Sequence, residues 1–207
     1  MSSDGKFFIG VIIVAILALG GFIFYSGGKK NDTANIDYTI GQKFGSDSAK
    51  IKIVEFGDFQ CPACASAADA FEGLKKEKDV QISFRHFPLT NIHANAEISS
   101  YAAEAAANQN KFWEMYNLLY ERQTVWSASQ APKDIFIGYA QELKLDVEKF
   151  KKDIDSDAVK KIVQRDYNAA IELGANSTPT FFINNKKITG ALTVAQWQKE
   201  LEEARAK

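Results

Sequence analysis

Both cysteines of the chain fall in one quartet, Cys61-Pro62-Ala63-Cys64, which follows the largely apolar run Ile51–Phe56 and a short loop. A strand that runs into a loop and then into a helix opened by Cys-x-x-Cys sets the frame for the rest of the chain. No third cysteine exists to form a structural bridge, so the pair acts as a unit. Two cysteines one helical turn apart lie close enough for a disulfide. The loop closed by that bond is tiny, however, so cross-linking it adds little to stability. Chemistry accounts for the pair better than stapling does.

Three readings compete for the quartet. As a redox dithiol, Cys61 sits at a helix N-terminus, where unpaired N–H groups and the helix dipole favour a thiolate. Pro62 suits the first turn, since it lacks only an N–H that would be unpaired there. Cys64, one turn in, is the more buried thiol and can resolve a mixed disulfide. As half of a zinc site the pair needs two more ligands; the only histidines, His86 and His93, lack the spacing of a finger. The third reading is two buried thiols packing as small apolar groups. The strand-loop-helix context favours the first.

Phe7–Tyr25 carries no charge, and at the rise of a helix it spans about 28 Å, close to the roughly 30 Å core of a bilayer. It is longer than the h-region of a signal peptide. We therefore expect an uncleaved signal-anchor over residues 7–25 after a short tail at 1–6, although Ser26 and Gly28 would permit cleavage. Lys29 and Lys30 behind the span, against Lys6 before it, weakly favour a cytoplasmic C-terminal side. A dithiol tied to a membrane fits the oxidising side better. Residues 26–37, polar and with glycines, read as a flexible linker.

A globular domain is expected over 38–207. The chain is 46% apolar, a folding composition, and its net charge of −1 gives no reason to expect nucleic acid as a partner. Along Ile51–Phe56 both faces are largely apolar after Lys52, the pattern of a central strand covered on both sides. Glu55 then points inward with Ile53. A second strand follows from Val80, with Val80, Ile82 and Phe84 alternating with Gln81, Ser83 and Arg85, and ends at Phe87-Pro88. Helical stripes then run through about 90–174, at Ile98/Tyr101/Ala102/Ala105, Phe112/Tyr116/Leu119/Tyr120, Phe136/Tyr139/Ala140/Leu143 and Ile162/Val163/Tyr167/Ala170/Ile171. They predict an insertion of four or five helices. The aromatics Phe112, Trp113, Tyr116 and Trp126 read as its core, and His86 and His93 as packing or capping residues. Gly174 ends the last helix. A hairpin with its turn at Asn184-Asn185 and a helix opened by a capping box at Thr193–Gln196 complete the chain.

The segments VEFGDFQCPAC, RHFPL, KFWEMYNLLY and STPTFFINNKKITG together resemble the DsbA-like thiol-disulfide oxidoreductases of the thioredoxin superfamily, in their membrane-anchored branch. The resemblance runs from about Tyr38 to the C-terminus. It implies an α/β thioredoxin fold with an inserted helical domain, here preceded by a transmembrane helix. It implies a buried acid at Glu55 beneath the redox pair; burial would raise its pKa and suit it to accept a proton from Cys64. Asp58, nearer but in the loop, ranks below it. It also implies a cis peptide before Pro179, facing Cys61, with the Thr178 backbone offered to an incoming peptide strand. Pro62 and Ala63 lie between the cysteines and tune the pair; Ala63 lacks the histidine of the best-known oxidases. On these grounds the Cys61 pKa is expected on the order of 4.5–6. The activity expected is disulfide introduction into reduced exported polypeptides on the extracytoplasmic side of a cell membrane. No bound cofactor or metal is required beyond the Cys61–Cys64 disulfide, which a quinone-linked membrane oxidase would regenerate. The same fold run as a reductase or isomerase, or a non-enzymatic tethered binding domain, are the alternatives.

Overall fold

The computed structural model describes residues 35–207. The expected span at 7–25, and the linker up to residue 34, lie outside the described residues. Among the described residues no helix is long and apolar enough to cross a membrane.

Five strands form one sheet in the order β1-β3-β2-β4-β5: β1 (Gln42–Phe44), β2 (Ile51–Gly57), β3 (Val80–His86), β4 (Thr180–Ile183) and β5 (Lys186–Thr189). β2 lies at the centre, parallel to β3 and antiparallel to β4. The connection from β2 to β3 is helix α1 (Pro62–Leu74), as a parallel pair requires. Alternation along β2 sends its side chains into two separate cores. Ile51 and Ile53 pack with Phe71 of α1 and with Trp197 and Leu201 of the last helix, α8 (Val194–Arg205). Val54 and Phe56 pack with Phe87, Ala170 and Phe182 on the opposite face. This is the α/β thioredoxin arrangement that the resemblance implies.

β4 and β5 form a hairpin turned by Asn184 and Asn185, both at positive φ (44° and 72°). Two adjacent left-handed residues make the tight turn whose twist matches paired strands, and asparagine tolerates that conformation. The turn also fastens the start of the described chain. Asn185 accepts hydrogen bonds from the Ile36 amide (3.3 Å) and the Tyr38 hydroxyl (3.1 Å). Ile36 is buried, so the packed region takes in a residue placed by sequence in the linker. The box at Thr193 and Gln196 caps α8 reciprocally.

Two expectations need correction. Strand β1 went unpredicted, being three residues long and two-thirds polar; it pairs antiparallel with the free edge of β3. Gly41, at φ 105°, leads into it where a Cβ would come within 2.4 Å of the Ser83 hydroxyl. The insertion contains six helices, not four or five: α2 (Ala96–Ala107), α3 (Phe112–Glu121), α4 (Gln123–Trp126), α5 (Pro132–Glu142), α6 (Val147–Ile154) and α7 (Asp157–Glu172). α4 is a single turn. α6 buries only Phe150 and Ile154, too few for a visible stripe, and starts at Asp146, whose side chain caps Lys149.

The insertion is welded to β3, every residue of which is buried, polar ones included. Gln81 donates to Asp47 at 2.7 Å and Ser83 to the Ile40 carbonyl at 2.9 Å. His86 Nε2 lies 2.8 Å from Glu104 of α2, whose carboxylate also accepts from Gln42 of β1. Arg85 Nε donates to Asp166 of α7 at 3.0 Å, and the second Asp166 oxygen accepts the His86 amide at 3.3 Å. Both ions of this pair are buried, at 3% and 1% exposure, so neither has water to fall back on. Removing one partner of such a pair is expensive because the other charge stays buried. Asp166→Ala is therefore expected to lower stability by about 3–5 kcal/mol, read as the midpoint shift in urea unfolding. Asp134→Ala on α5, whose carboxylate makes no hydrogen bond or ion pair among the described residues, should cost a small fraction of that.

Candidate active site

β2 ends at Gly57, where neighbouring side chains of β3 and of β2 itself leave no room for a Cβ: one built there lies 2.5 Å from the Phe84 ring and 3.0 Å from a Glu55 oxygen. The chain then crosses Asp58–Gln60 and enters α1, with Cys61 as the extended N-cap residue (φ −74°, ψ 121°) and Pro62 in the first turn. No side-chain oxygen caps this helix. The Cys61 sulfur occupies that position, where the amides of the first turn are unpaired.

The loop carrying Cys61 is held almost entirely by the insertion. Asp58, buried, accepts from the Gln60 amide (2.8 Å) and the Leu89 amide (2.9 Å), and lies 2.7 Å from His93 Nδ1. Both of its oxygens are engaged in shaping the loop. Gln123 of α4 donates to the carbonyls of Phe59 (2.7 Å) and Cys61 (3.1 Å). Gln60 accepts the Asn95 amide at 2.6 Å and donates to the Ser127 carbonyl at 2.8 Å. The Asn95 side chain in turn donates to the carbonyls of Ser127 and Ser129. Sequence reasoning missed Asn95 and Gln123. A lone amide side chain carries no periodic or spacing signal, so neither stood out. His86 and His93 both serve as packing partners of carboxylates.

The structure brings Cys61, Cys64, Glu55, Thr178 and Pro179 together, with Pro62 and Ala63 exposed at the rim. Thr178-Pro179 is a cis peptide. The Thr178 carbonyl accepts from the Cys61 thiol at 3.5 Å. The Thr178 hydroxyl is buried and otherwise without a partner among the described residues, so it is free to donate once the sulfur is ionised. Cys61 and Cys64 are free thiols here, and Cys61 is only 7% exposed.

The electrostatics separate the two sulfurs. The Cys61 pKa is brought down to about 5, first by hydrogen bonding from the Cys64 thiol, then by Thr178 and the amides of Cys64 and Ala63, against the opposing effect of burial. Burial drives the Cys64 thiol far above its ordinary value, and the charges of Glu55 and Cys61 add to the rise. Glu55 is fully buried and neither of its oxygens has a hydrogen-bond partner among the described residues. Burial, reinforced by the neighbouring Cys61 charge, raises its pKa to about 8; the Tyr116 hydroxyl, close but outside hydrogen-bonding geometry, and Lys75 oppose the rise. The arrangement can present one sulfur as a thiolate, keep the second as a thiol, and store a proton beside it.

A model of the thioredoxin family matches residues 40–203. A probable disulfide bond formation protein D of Bacillus cereus is 33% identical, over 89% of this chain and 90% of that protein. A Na(+)/H(+) antiporter NhaA of Herminiimonas arsenicoxydans is 36% identical over 82% of this chain. The chain spans only about a quarter of that relative (26%), so the likeness is to one part of it. Among solved structures, oxidised BdbD from Bacillus subtilis superposes with a TM-score of 0.75 at 21% identity, over 84% of this chain and 98% of that one, a likeness of fold.

Thiolate absorbance of the reduced protein is expected to titrate with a midpoint near 5. Because the folded value lies below the unfolded one, this ionisation contributes stability that is complete above about pH 9 and lost as pH falls through about 5. The melting temperature of the reduced protein, relative to Cys61→Ala, should rise with pH across that window. A flat difference would contradict the assignment.

Proposed function

The chain belongs to the thioredoxin family, in its DsbA-like branch of thiol-disulfide oxidoreductases, and from that premise we propose that it introduces disulfides into reduced polypeptides outside the cytoplasm. The observation that carries this reading is the contrast at the quartet, one sulfur held as a thiolate at a helix N-terminus and the other kept protonated in the interior.

In the oxidising direction the resting site is the Cys61–Cys64 disulfide. A substrate thiolate attacks the Cys61 sulfur; a mixed disulfide forms and the Cys61–Cys64 bond breaks. Cys64 leaves and takes up a proton, for which protonated Glu55 is the nearby source. A second substrate thiolate attacks the substrate sulfur of the mixed disulfide, and Cys61 departs as a stabilised thiolate. Two electrons have passed from the substrate dithiol to the enzyme. The stability of the Cys61 thiolate in the reduced protein is what draws the exchange in this direction. The Thr178 backbone, beside Cys61, offers an incoming extended peptide a place to pair. Pro62 and Ala63 shape the access to the sulfur from the solvent side.

Turnover requires reoxidation of Cys61 and Cys64, which we assign to a quinone-linked oxidase in the membrane. Residues 7–25 serve in this reading as a single-pass anchor in the lipid bilayer, with the catalytic domain on the extracytoplasmic side. No cofactor other than the cysteine pair takes part. Transport activity is not carried over from the antiporter-named relatives.

Cys64→Ser is expected to accumulate mixed disulfides through Cys61 on non-reducing gels, and Cys61→Ser to accumulate few; equal trapping would reject the order of attack. Glu55→Gln should slow exchange and flatten its pH dependence while leaving the Cys61 titration broadly in place. The direction itself is tested by the reduction potential, expected above the roughly −270 mV of thioredoxin. A potential at or below that level would make the protein a reductase.

A further inference from the structure

Two buried polar groups, the Glu55 carboxyl and the Tyr116 hydroxyl, have no partner among the described residues, and both lie against the Phe84 ring. Glu55 pairs in register with Phe84 of β3, and the Tyr116 ring stands edge-on to Phe84, with centroids 5.4 Å apart. Tyr116 belongs to the same core cluster as Cys61 and Cys64. Its other side borders a groove of about 620 Å³ between α1 and α3, lined also by Asp69, Glu72, Asn117 and Glu121. Burying an unpaired hydroxyl is costly unless it gains a partner in some state of the protein. Glu55 carries the same cost more acutely, because ionising it in place would leave a charge with no donor.

We propose that Tyr116 is a positioning residue for proton transfer: its hydroxyl donates to the Glu55 carboxylate when Glu55 has given up its proton, and it links that carboxyl to the solvent in the α1–α3 groove. This rests on the proton role given to Glu55 above. The cycle balances. When Cys64 leaves as a thiolate it takes the proton from Glu55, and the carboxylate so formed gains the Tyr116 hydrogen bond. The carboxylate is reprotonated by a proton arriving from the groove side, so that Tyr116 ends each turnover as it began. Other charged and titratable groups around this pair are Cys61 and Cys64 on α1, Lys75 at the end of that helix, and Tyr120 and Glu72. Lys75 is engaged with Glu72 and lies over the Trp113 and Tyr116 rings, at 4.6 and 5.5 Å. It therefore acts on Glu55 as a charge and makes no direct bond to it. The direction in which Tyr116 moves the Glu55 titration, downward, agrees with a donor to the ionised form.

Tyr116→Phe removes the hydroxyl and keeps the ring that packs against Phe84 and Tyr120. The Glu55 carboxyl band in infrared titration of the reduced protein, identified by its loss in Glu55→Gln, should move its midpoint upward by about one to two pH units, as expected for losing a hydrogen bond made only to the charged form. The Cys61 thiolate midpoint should stay in place, which a general loosening of the core would not allow. In the unsubstituted protein the tyrosine C–O band lost in Tyr116→Phe should shift in step with the Glu55 titration. An unmoved carboxyl midpoint, or a tyrosine band indifferent to it, overturns the proposal. If Glu55→Gln alone leaves exchange unchanged at every pH, the proton role of Glu55 fails first. If Glu55→Gln alters the profile and Tyr116→Phe does not, only the role of Tyr116 is lost.

Discussion

The space beneath the start of α1 tolerates one negative charge, and much of the site follows from that limit. Three groups capable of carrying it, Cys61, Cys64 and Glu55, are buried within each other's fields. In a poorly solvated interior, like charges repel strongly and the weaker claims are suppressed. Cys61 holds the strongest claim, since the Cys64 thiol, Thr178 and the helix amides all stabilise its charge. The others are then pushed toward their neutral forms. A mixed disulfide at Cys61 removes that charge and changes the balance for the remaining two. In the proposed exchange, proton movement is thereby tied to the making and breaking of the sulfur bonds.

Such a balance requires the sulfur to stay put, and the sheet alone does not provide this. β2 and α1 deliver Cys61 to the right end of the domain. The loop between them, however, spends most of its hydrogen bonds on α4, on Asn95 and on the segment from Leu89 to His93. The insertion is thus a clamp on the catalytic loop as well as a second core. Its own seat on β3 is polar, through Arg85–Asp166 and His86–Glu104. A buried ion pair such as Arg85–Asp166 seldom adds stability over apolar packing, but its geometry admits few alternatives, which suits an interface that must hold a loop in register.

What could be read from the sequence divides along physical lines. β2, α1, the β4–β5 turn and the capping box of α8 were legible because each rests on local rules: alternation, a proline in a first turn, two asparagines, a reciprocal cap. Alternation along β2 turned Glu55 inward, and the family resemblance supplied its role and brought Thr178 and Pro179 into view. β1 was invisible because its strand character comes from the exposed edge of β3, a distant segment. Gln123 and Asn95 were invisible because an amide's value lies in the carbonyls it meets. Tyr116 was assigned to the core, and it is in the core; its unpaired hydroxyl emerges only once Glu55 is seen beside it.

The turn at Asn184-Asn185 has a mechanical side. It grips Ile36 and Tyr38 at the end of the sheet where the Asn184 amide bonds to the Lys52 carbonyl, while the quartet follows the opposite end of β2. Along a strand, Lys52 to Gly57 is about 16 Å. A pull applied to the chain at Ile36 would therefore act at the pole remote from the Cys61 sulfur. Such a force would load the β4–β5 hairpin and the edge of β2 before it reached the cysteines, so the geometry of the pair is insulated from events at Ile36.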